Sequence, residues 1–257
     1  MDERKVAVIT GASSGIGAAV AQDLAKAGCH VVVNYNSNRE GGEAVAEACR
    51  LEGVEALPVH GNIAEGADCD AIVAAAQNAF GRIDILVNNA GVTRFAHAGD
   101  LDALDADDFA AVFAVNVAGT YQMCRAAAPA LKAAKGAIVN VSSHSGFSGR
   151  GSSIAYAASK GAVNTMTVSL ARSLAPQVRV NAVCPGFVDT DWMAPRLSET
   201  ELEAFKKKTA AIAPLQRIVS AEQVAEATRW FALGGPTITG QLLVIDGGTH
   251  LTVGAPI

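Results

Sequence analysis

The sequence has no excess of basic residues and no long apolar run. Its 257 residues include 20 lysines and arginines against 25 aspartates and glutamates, which gives a formal net charge of −5 at pH 7. A nucleic-acid-binding surface needs a basic excess, so this balance argues against one. No stretch approaches the roughly 18 uninterrupted apolar residues of a membrane-spanning helix, and the acidic start MDERK is unlike a signal peptide. We therefore expect a cytoplasmic protein that binds neither nucleic acid nor membrane.

Metal-ligand and redox motifs are also missing. None of the five cysteines falls in a C-x-x-C pattern, and the five histidines show no H-x-x-x-H spacing. Because metal sites and reactive thiols usually carry such patterns, we expect buried, reduced cysteines and no metal. The composition is instead rich in apolar residues, with 50% hydrophobic and 18% charged residues. Such a chain can bury a sizeable core.

Short apolar runs rich in β-branched residues recur along the chain. Most are continuously apolar rather than alternating, which is typical of strands buried on both faces of a parallel sheet. Ala-rich segments with helical spacing separate them, and this alternation predicts right-handed βαβ units. The predicted fold is α/β, a single doubly wound Rossmann domain over residues 1–257, with helices on both faces of a seven-stranded parallel sheet. The predicted strands are 5–10, 30–34, 56–60, 84–88, 137–142, 179–183 and 241–245.

Residues 186–219 break this rhythm, because they are long and mixed in polarity between the last two predicted strands. Long loops in compact domains usually serve a function. We interpret the segment as an insertion of loops and short helices over a site, the alternative being a surface excursion without a role.

A glycine-rich turn, TGASSGIG (10–17), follows the first predicted strand and precedes a helix. Glycines allow a tight turn and a close approach of the backbone to a phosphate, and the N-terminus of the following helix favours an anion. The same letters satisfy G-x-S-x-G, the nucleophile elbow of α/β-hydrolases. Only ten residues precede it, too few to supply the rest of an oxyanion hole. The turn therefore favours a dinucleotide site.

The end of the second strand indicates which dinucleotide. An NAD site commonly carries Asp or Glu here to bind the ribose 2′-hydroxyl. In VVVNYNSNRE, Asn36 and Ser37 are neutral and the first charge is Arg39. A missing carboxylate removes repulsion against a 2′-phosphate, and Arg39 can pair with it. This pattern favours NADP(H) over NAD(H), unless Arg39 is only a solvated residue at a helix start.

The segment YAASK (156–160) places Lys160 four residues after Tyr156, on the same helical face. A nearby ammonium lowers the pKa of a tyrosine, which would make the hydroxyl a usable acid or base. Ser143 ends the strand AIVNVSS, at the edge where open sheets bind ligands. Two hydroxyls there can hold one carbonyl oxygen. The alternative is an ordinary Tyr–Lys helix pair.

Together with NNAG (88–91), Asn116 in FAVNVAGT and PG (185–186), these motifs resemble the classical short-chain dehydrogenase/reductase family over nearly the whole chain. The resemblance implies that Tyr156 is the general acid in ketone reduction and that Lys160 lowers its pKa and holds the nicotinamide ribose. It also implies that Ser143 orients the substrate carbonyl and that Asn116 anchors a water in a proton relay. Ser142 is the alternative to Ser143, but the family's spacing to the tyrosine favours Ser143.

The resemblance also implies a nicotinamide dinucleotide along the carboxyl edge of the sheet. The family usually has Asp where Asn62 stands, although an amide can still bond to the adenine. The implied cofactor-binding residues are Gly11, Ser13, Ser14, Gly15, Ile16, Gly17, Asn36, Ser37, Arg39, Asn62, Ile63, Asn89, Ala90, Gly91, Tyr156, Lys160, Pro185, Gly186, Val188 and Thr190.

Within the family, NYNSN, NNAGVTR, VCPGFVDTDW and VIDGG look most like bacterial 3-oxoacyl-(acyl-carrier-protein) reductases. This resemblance implies reduction of a 3-oxoacyl thioester in fatty acid biosynthesis, with acyl carrier protein as a possible partner, and a homotetramer. However, LARSLAPQVRVN (170–181) lacks the usual basic, glycine-containing turn, and docking of an acidic carrier needs positive charge. Lys132, Lys135 and Arg172 are the cations that remain available.

Two alternatives to carrier-linked reduction remain open. The first is a dehydrogenase of a small cyclic, sugar or aliphatic alcohol. The second is a dinucleotide-binding regulator without turnover, although such a protein would be expected to lack Ser143, Tyr156 or Lys160. We interpret His144, next to Ser143, as a bystander. Four apolar residues form either a substrate wall or ordinary packing; they are Phe95, Trp192, Met193 and Phe205.

Overall fold

The computed structural model describes residues 3–193 and 196–252, and its central element is a seven-stranded sheet in which every pairing is parallel. Each of the seven predicted runs overlaps one strand, which confirms the predicted fold class. The strands are β1 (Val6–Ile9), β2 (His30–Tyr35), β3 (Ala56–His60), β4 (Ile85–Asn88), β5 (Ala137–Val141), β6 (Arg179–Pro185) and β9 (Leu242–Ile245), in the order β3-β2-β1-β4-β5-β6-β9; β7 (Val188–Asp189) pairs with β8 (Val219–Ser220) outside this sheet.

Helices connect the strands and cover both faces of the sheet. Three of them begin with capping boxes, formed by Asp105 with Asp108, Ser198 with Glu201, and Ser220 with Gln223. The helices are α1 (Gly15–Lys26), α2 (Arg39–Arg50), α3 (Gly66–Phe80), α4 (Ala106–Phe113), α5 (Thr120–Ala134), α6 (Ser145–Ser148), α7 (Ile154–Leu174), α8 (Glu199–Ile212) and α9 (Ala221–Leu233), with a π-helical segment at Ala114–Gly119 and 3-10 turns at Leu101–Ala103, Asp191–Met193 and Thr249–Leu251.

The core consists of two layers separated by the sheet. Successive residues of β1 point to opposite faces, so Ile9 packs in one apolar cluster with Leu24 and Phe231, whereas Val8 packs in another with Ile72. Both faces of the sheet are therefore buried, which explains why the strand sequences are continuously apolar rather than alternating.

The sheet order places a crevice at the carboxyl ends of β1 and β4. The chain passes from β1 to β2 and β3 on one side and later returns to β4 on the other side of β1. In open α/β sheets, ligands bind in the crevice where the strand order reverses. The glycine turn after β1 and the NNAG motif after β4 both lie at this crevice.

The segment between β6 and β9 leaves the sheet. It contains β7, a 3-10 turn, α8, β8 and α9. The Phe187 and Phe205 rings meet edge to face at 5.0 Å between centroids, and Lys206 Nζ lies 2.8 Å from Asp189 Oδ1. These contacts hold α8 against the chain that follows β6. Of the predicted insertion at 186–219, residues 194 and 195 lie outside the described residues.

Candidate active site

The glycine turn fits a phosphate group. Gly11 and Gly15 have φ values of +59° and +55°, which favour glycine, and a Cβ on Gly11 would lie 2.8 Å from the Cα of Ala90. Gly17 packs against the Asn89 amide and the Gly11 carbonyl. Helix α1 begins at Gly15 without a capping side chain and without an acidic residue in its first turn. Its free N–H groups are thus available to an anion such as the pyrophosphate of a dinucleotide.

Buried polar side chains fix the position of this turn. Asn34 Oδ1 accepts the N–H of Gly11 at 3.2 Å, and Asn89 Nδ2 donates to the Gly11 carbonyl at 2.8 Å. Thr10 Oγ1 accepts the N–H groups of Asn89 and Ala90 at 3.0 and 3.1 Å. Asn34 was not predicted as a site residue, because the sequence does not distinguish this buried asparagine from the exposed Asn36 two positions later.

The predicted residues after β2 are exposed beside the glycine turn. Asn36, Ser37 and Arg39 are solvent-accessible, and Arg39 begins α2. Arg39 Nε makes a 2.7 Å ion pair with Glu43 Oε1, yet its side chain is 76% exposed. Exposed pairs of this kind are weak because water screens both charges, so Arg39 is able to exchange Glu43 for another anion.

Asn62 and Ile63 follow β3 and have different surroundings. Asn62 Oδ1 accepts the N–H of Ala64 at 3.1 Å, whereas its own backbone N–H donates to Asp68. Ile63 is buried, and a Cβ on Gly119 would lie 2.7 Å from its carbonyl oxygen. The Asn62 side chain is therefore engaged in a local turn, with its amide nitrogen left for other contacts.

Ser143, Tyr156 and Lys160 converge between the end of β5 and the first turn of α7. Lys160 Nζ lies 5.6 Å from the centroid of the Tyr156 ring and donates to the Val141 carbonyl at 2.9 Å. The Ser143 hydroxyl donates to Ser145 Oγ at 3.0 Å. The predicted spacing of the tyrosine and the lysine along one helical face is thus realised.

The two adjacent serines have different environments. Ser142 Oγ donates to Asn164 Oδ1 at 2.6 Å and lies 3.2 Å from the Lys160 carbonyl oxygen. These bonds tie β5 to the middle of α7. Ser143 instead lies toward the carboxyl edge, 3.4 Å from the Pro185 carbonyl oxygen. The geometry therefore favours Ser143 over Ser142 as the serine available to a ligand.

One sequence-based expectation at this site is wrong in this structure. Burial raises the pKa of Tyr156 to about 12, and a hydrogen bond with Ser143 opposes this increase only in part. Lys160 does not offset this increase, because its ammonium is directed at the Val141 carbonyl and is itself buried. Burial lowers the pKa of Lys160 to about 8. Desolvation thus favours the neutral forms of both side chains.

Asn116 lies in the π-helical segment, a type of irregularity that is frequent at functional sites. Its side chain accepts the N–H of Val92 at 2.8 Å and donates to the Val92 carbonyl and to Ser159 Oγ at 3.0 Å each. A Cβ on Gly91 would lie 3.4 Å from Asn116 Oδ1 and 3.6 Å from Lys160 Nζ. Asn116 therefore anchors the chain after β4 beside Lys160.

The chain after β6 closes the other side of the crevice. Thr190 Cγ2 lies 3.6 Å from the position that a Cβ on Gly15 would occupy, so Thr190 lies against the glycine turn. Val188 is buried in β7. The Trp192 ring lies 5.9 Å from the Tyr156 ring and is 41% exposed, whereas Phe205 packs against Phe187. Of the four candidate wall residues, Trp192 is thus placed against the predicted general acid.

Residues 3–193 and 196–252 contain no group of three or more His, Cys, Asp or Glu side chains arranged to hold a metal ion. Within the same residues, no helix is both long and apolar enough to cross a lipid bilayer. All five cysteines are buried and free.

Comparison with known proteins agrees with this geometry. The family model described as short chain dehydrogenase matches residues 5–201. The chain is 42% identical over 250 residues to a protein of Streptomyces violaceoruber named as ketoacyl reductase 2 of the granaticin polyketide synthase, with 97% of each chain covered. It is 35% identical over 254 residues to the 3-oxoacyl-(acyl-carrier-protein) reductase FabG of Staphylococcus aureus, with 98% of this chain and 100% of the relative covered.

A solved structure of a short-chain dehydrogenase/reductase from Burkholderia xenovorans superimposes with a TM-score of 0.92 at 39% identity, covering 98% of this chain and all of that one. The chain therefore belongs to the short-chain dehydrogenase/reductase family. It is an oxidoreductase of that family, whose members bind a nicotinamide dinucleotide.

Proposed function

We propose that the protein is an NADP(H)-dependent ketoreductase that converts a ketone to a secondary alcohol. The observation that carries the proposal is the convergence of Ser143, Tyr156 and Lys160 at the carboxyl edge of the sheet, beside a glycine turn that fits a pyrophosphate. The nicotinamide, when bound, supplies the hydride to the carbonyl carbon.

Tyr156 supplies the proton in this mechanism. The carbonyl oxygen gains negative charge as its carbon accepts the hydride, and the Tyr156 hydroxyl donates its proton to that oxygen. A pKa near 12 keeps the hydroxyl protonated at neutral pH, so the proton is available to the substrate, although a general acid is most efficient when its pKa is near the operating pH. Ser143 donates a second hydrogen bond to the same oxygen. Its present contact with the Ser145 hydroxyl is a neutral bond that a substrate oxygen is able to replace.

Lys160 and Asn116 support this proton transfer. With a pKa of about 8, Lys160 is mostly protonated at pH 7, and its charge stabilises the tyrosinate as it forms. Lys160 also lies close enough to Gly91 to reach a ribose held at that edge. The Asn116 side chain is occupied by Val92 and Ser159, and its backbone carbonyl accepts the Thr120 hydroxyl at 2.9 Å. A water in a proton relay would bind at the second acceptor position of that carbonyl.

The preference for NADP(H) rests on Arg39. The guanidinium is at the start of α2, next to the glycine turn, and the described residues after β2 contain no carboxylate before Glu40. A 2′-phosphate there would gain a bidentate partner without facing an acid at the strand end.

A 3-oxoacyl thioester is the favoured substrate, supported by relatives named as ketoacyl and 3-oxoacyl-carrier-protein reductases. Lys132 and Arg172 are exposed, but both lie near helix ends that precede β5 and β6, at the amino edge of the sheet. They therefore do not flank the catalytic edge of the same chain. The second candidate is a dehydrogenase of small cyclic, sugar or aliphatic alcohols. It is favoured because these cations are not placed to bind an acidic carrier protein beside the site.

The test measures oxidation of NADPH and of NADH with a 3-oxoacyl thioester and with a panel of small ketones. We expect turnover with NADPH and the thioester, and loss of turnover in Tyr156→Phe with cofactor binding retained. Tyr121→Phe, at a tyrosine exposed on α5, is the matched control. Turnover of ketones alone would contradict the thioester assignment. Absence of turnover with every carbonyl, and in reverse with every alcohol, would favour a non-catalytic regulator.

The proposal includes a cytoplasmic homotetramer of one-domain subunits, in which 186–219 covers the substrate. Two separate faces expose apolar side chains. One carries Trp230 of α9 and Leu243 of β9, and the other carries Tyr121 of α5 and Val168 of α7. Two different two-fold interfaces generate a closed tetramer. Light scattering of the purified chain tests the assembly, and Trp230→Glu should reduce a tetramer to a dimer.

A further inference from the structure

A buried carboxylate, Asp246 of the VIDGG motif, follows β9 at the catalytic edge, and the proposed mechanism gives it no role. The Asp246 side chain is only 1% exposed. Its Oδ1 accepts the N–H of Gly248 at 2.9 Å, and its Oδ2 accepts the N–H of His250 at 2.8 Å. The ring nitrogen Nδ1 of His250 lies 2.9 and 3.0 Å from the two oxygens. Burial favours the neutral acid, but these hydrogen bonds together hold the pKa of Asp246 below its usual range.

The same carboxylate faces His144, the neighbour of Ser143. His144 Nδ1 lies 3.4 Å from Asp246 Oδ2, and the side chain is 14% exposed. That nitrogen has no hydrogen-bond partner among the described residues, so the contact is electrostatic rather than an aligned hydrogen bond. Burial lowers the pKa of His144, and the charge of Asp246 opposes the decrease. The other charged or titratable groups near His144 are His250 and Arg150.

Asp246 also packs against the backbone that borders Ser143. A Cβ on Gly186 would lie 2.6 Å from the Cβ of Asp246, so the two strand ends are in close contact. The neighbouring Pro185 carbonyl accepts the N–H of His144 at 2.9 Å and lies 3.4 Å from Ser143 Oγ. Asp246 therefore contacts His144, which follows Ser143, and Gly186, which follows the Pro185 carbonyl beside Ser143.

We propose that Asp246 is a positioning residue for Ser143, acting through His144 and the Pro185–Gly186 backbone. The proposal rests on the carbonyl reduction proposed above. Hydrogen bonds to a reacting oxygen lose much of their effect when the donor is displaced by about 1 Å. The Asp246 carboxylate thus holds the ends of β5, β6 and β9 in position. In this way it keeps the Ser143 hydroxyl aligned with the reacting carbonyl oxygen without touching the substrate.

The test replaces Asp246 by Asn, which keeps the shape and one of the two backbone acceptor bonds, removes the charge, and places an amide NH2 group where the second oxygen accepts an N–H. We expect Asp246→Asn to lower kcat at least tenfold, with KM and the Kd for NADPH within threefold of wild type. The matched control is Asp84→Asn, because Asp84 is also buried, accepts the N–H of Val6 at 2.9 Å and pairs with Arg82. Asp84 precedes β4 at the opposite edge of the sheet, so its variant should lose stability but not kcat.

A double-mutant cycle separates positioning from general destabilisation. If Asp246 acts through His144, the losses of kcat in Asp246→Asn and His144→Gln should not multiply in the double variant. Because Asp84→Asn should not lower kcat, the double variant Asp246→Asn with Asp84→Asn should lose no more kcat than Asp246→Asn alone. The proposal is overturned if Asp246→Asn retains kcat within twofold, if Asp84→Asn loses as much, or if the effects of Asp246→Asn and His144→Gln multiply.

A readout without turnover distinguishes this proposal from the proposed reaction. Titration of the imidazole resonances by NMR should show a lower pKa for His144 in Asp246→Asn than in wild type, because the opposing charge is lost. An unchanged His144 titration would overturn the positioning role. If the variant shows the lower His144 pKa but the wild-type protein reduces no carbonyl, the proposed reaction is refuted while the contact between Asp246 and His144 stands.

Discussion

The ammonium nitrogen of Lys160 donates a hydrogen bond to the carbonyl oxygen of Val141 at 2.9 Å. This bond holds the Lys160 ammonium at the edge of the sheet, beside Tyr156, the proposed proton donor. Lys160 is 5% exposed, and burial lowers its pKa to about 8. The folded protein therefore maintains a charge at neutral pH that its surroundings disfavour.

This burial predicts a pH dependence of stability. The pKa of Lys160 is about 8 when folded, against 10.5 for the free side chain. Between these values the unfolded chain binds the proton and the folded chain does not, so the free energy of unfolding rises with pH. Relative to Lys160→Met, the wild-type protein should gain about 2 kcal/mol between pH 8 and pH 10. Urea unfolding at several pH values measures this difference.

The control for this prediction is Lys132→Met, which replaces an exposed lysine on α5. Its difference from wild type should stay constant over the same range. A flat difference for Lys160→Met as well would mean that the folded-state pKa of Lys160 is close to that of a free lysine.

The two adjacent serines predict opposite phenotypes. Ser143→Ala should lower kcat for carbonyl reduction about a hundredfold, the typical effect of removing one donor to a developing oxyanion. Ser142→Ala should leave kcat within threefold but lower the free energy of unfolding by about 1–3 kcal/mol, because Asn164 loses a buried hydrogen-bond partner. Steady-state kinetics and urea unfolding of both variants check the pair. Reversed phenotypes would identify Ser142 as the functional serine.

The sequence predicted the sheet well because burial on both faces produces a local pattern. Continuous apolar runs such as HVVVN indicate a parallel strand without knowledge of its neighbours. The edge residues Ser143 and Tyr156 could also be found from the sequence, since the first ends a recognisable strand and the second opens a helix four residues before Lys160.

What the sequence could not supply depends on strand order and depth. Asp246 meets His144 only because β9 lies beside β6 and β6 beside β5, and no local pattern encodes that order. The pKa of Tyr156 was misjudged for a similar reason. Helical spacing gives the position of the Lys160 side chain, but not the depth that raises the pKa of the tyrosine or the Val141 carbonyl that takes up the ammonium.

Arg39 predicts discrimination between the two cofactors. Arg39→Ala should raise the Kd for NADPH about tenfold, the effect of losing one charged hydrogen-bonding partner, and leave the Kd for NADH within twofold. Arg50→Ala is a matched control, because Arg50 ends the same helix and pairs with Glu47. Quenching of intrinsic fluorescence measures both constants. Equal changes for the two cofactors would show that Arg39 does not bind the 2′-phosphate.

Trp192 predicts a change of substrate preference. Its indole lies 5.9 Å from the Tyr156 ring at an interplanar angle of 51° and is partly open to solvent, so we expect a substrate bound at Tyr156 to contact it. Stacking on an aromatic face contributes about 0.5–1.5 kcal/mol beyond area burial. Trp192→Ala should therefore raise KM for aryl or cyclic ketones up to about tenfold and change KM for short acyclic ketones less than twofold.

The matched control for this change is Trp230→Ala, since Trp230 is exposed to a similar degree but lies on α9 against Phe231, on a face assigned to subunit contact rather than to the site. Its KM values should equal those of the wild-type protein for both kinds of ketone. If Trp192→Ala raised KM equally for cyclic and acyclic substrates, the indole would shape the site as a whole rather than select the substituent. If it left every KM unchanged, the substrate would approach Tyr156 from another side, and the segment after β6 would not be its wall.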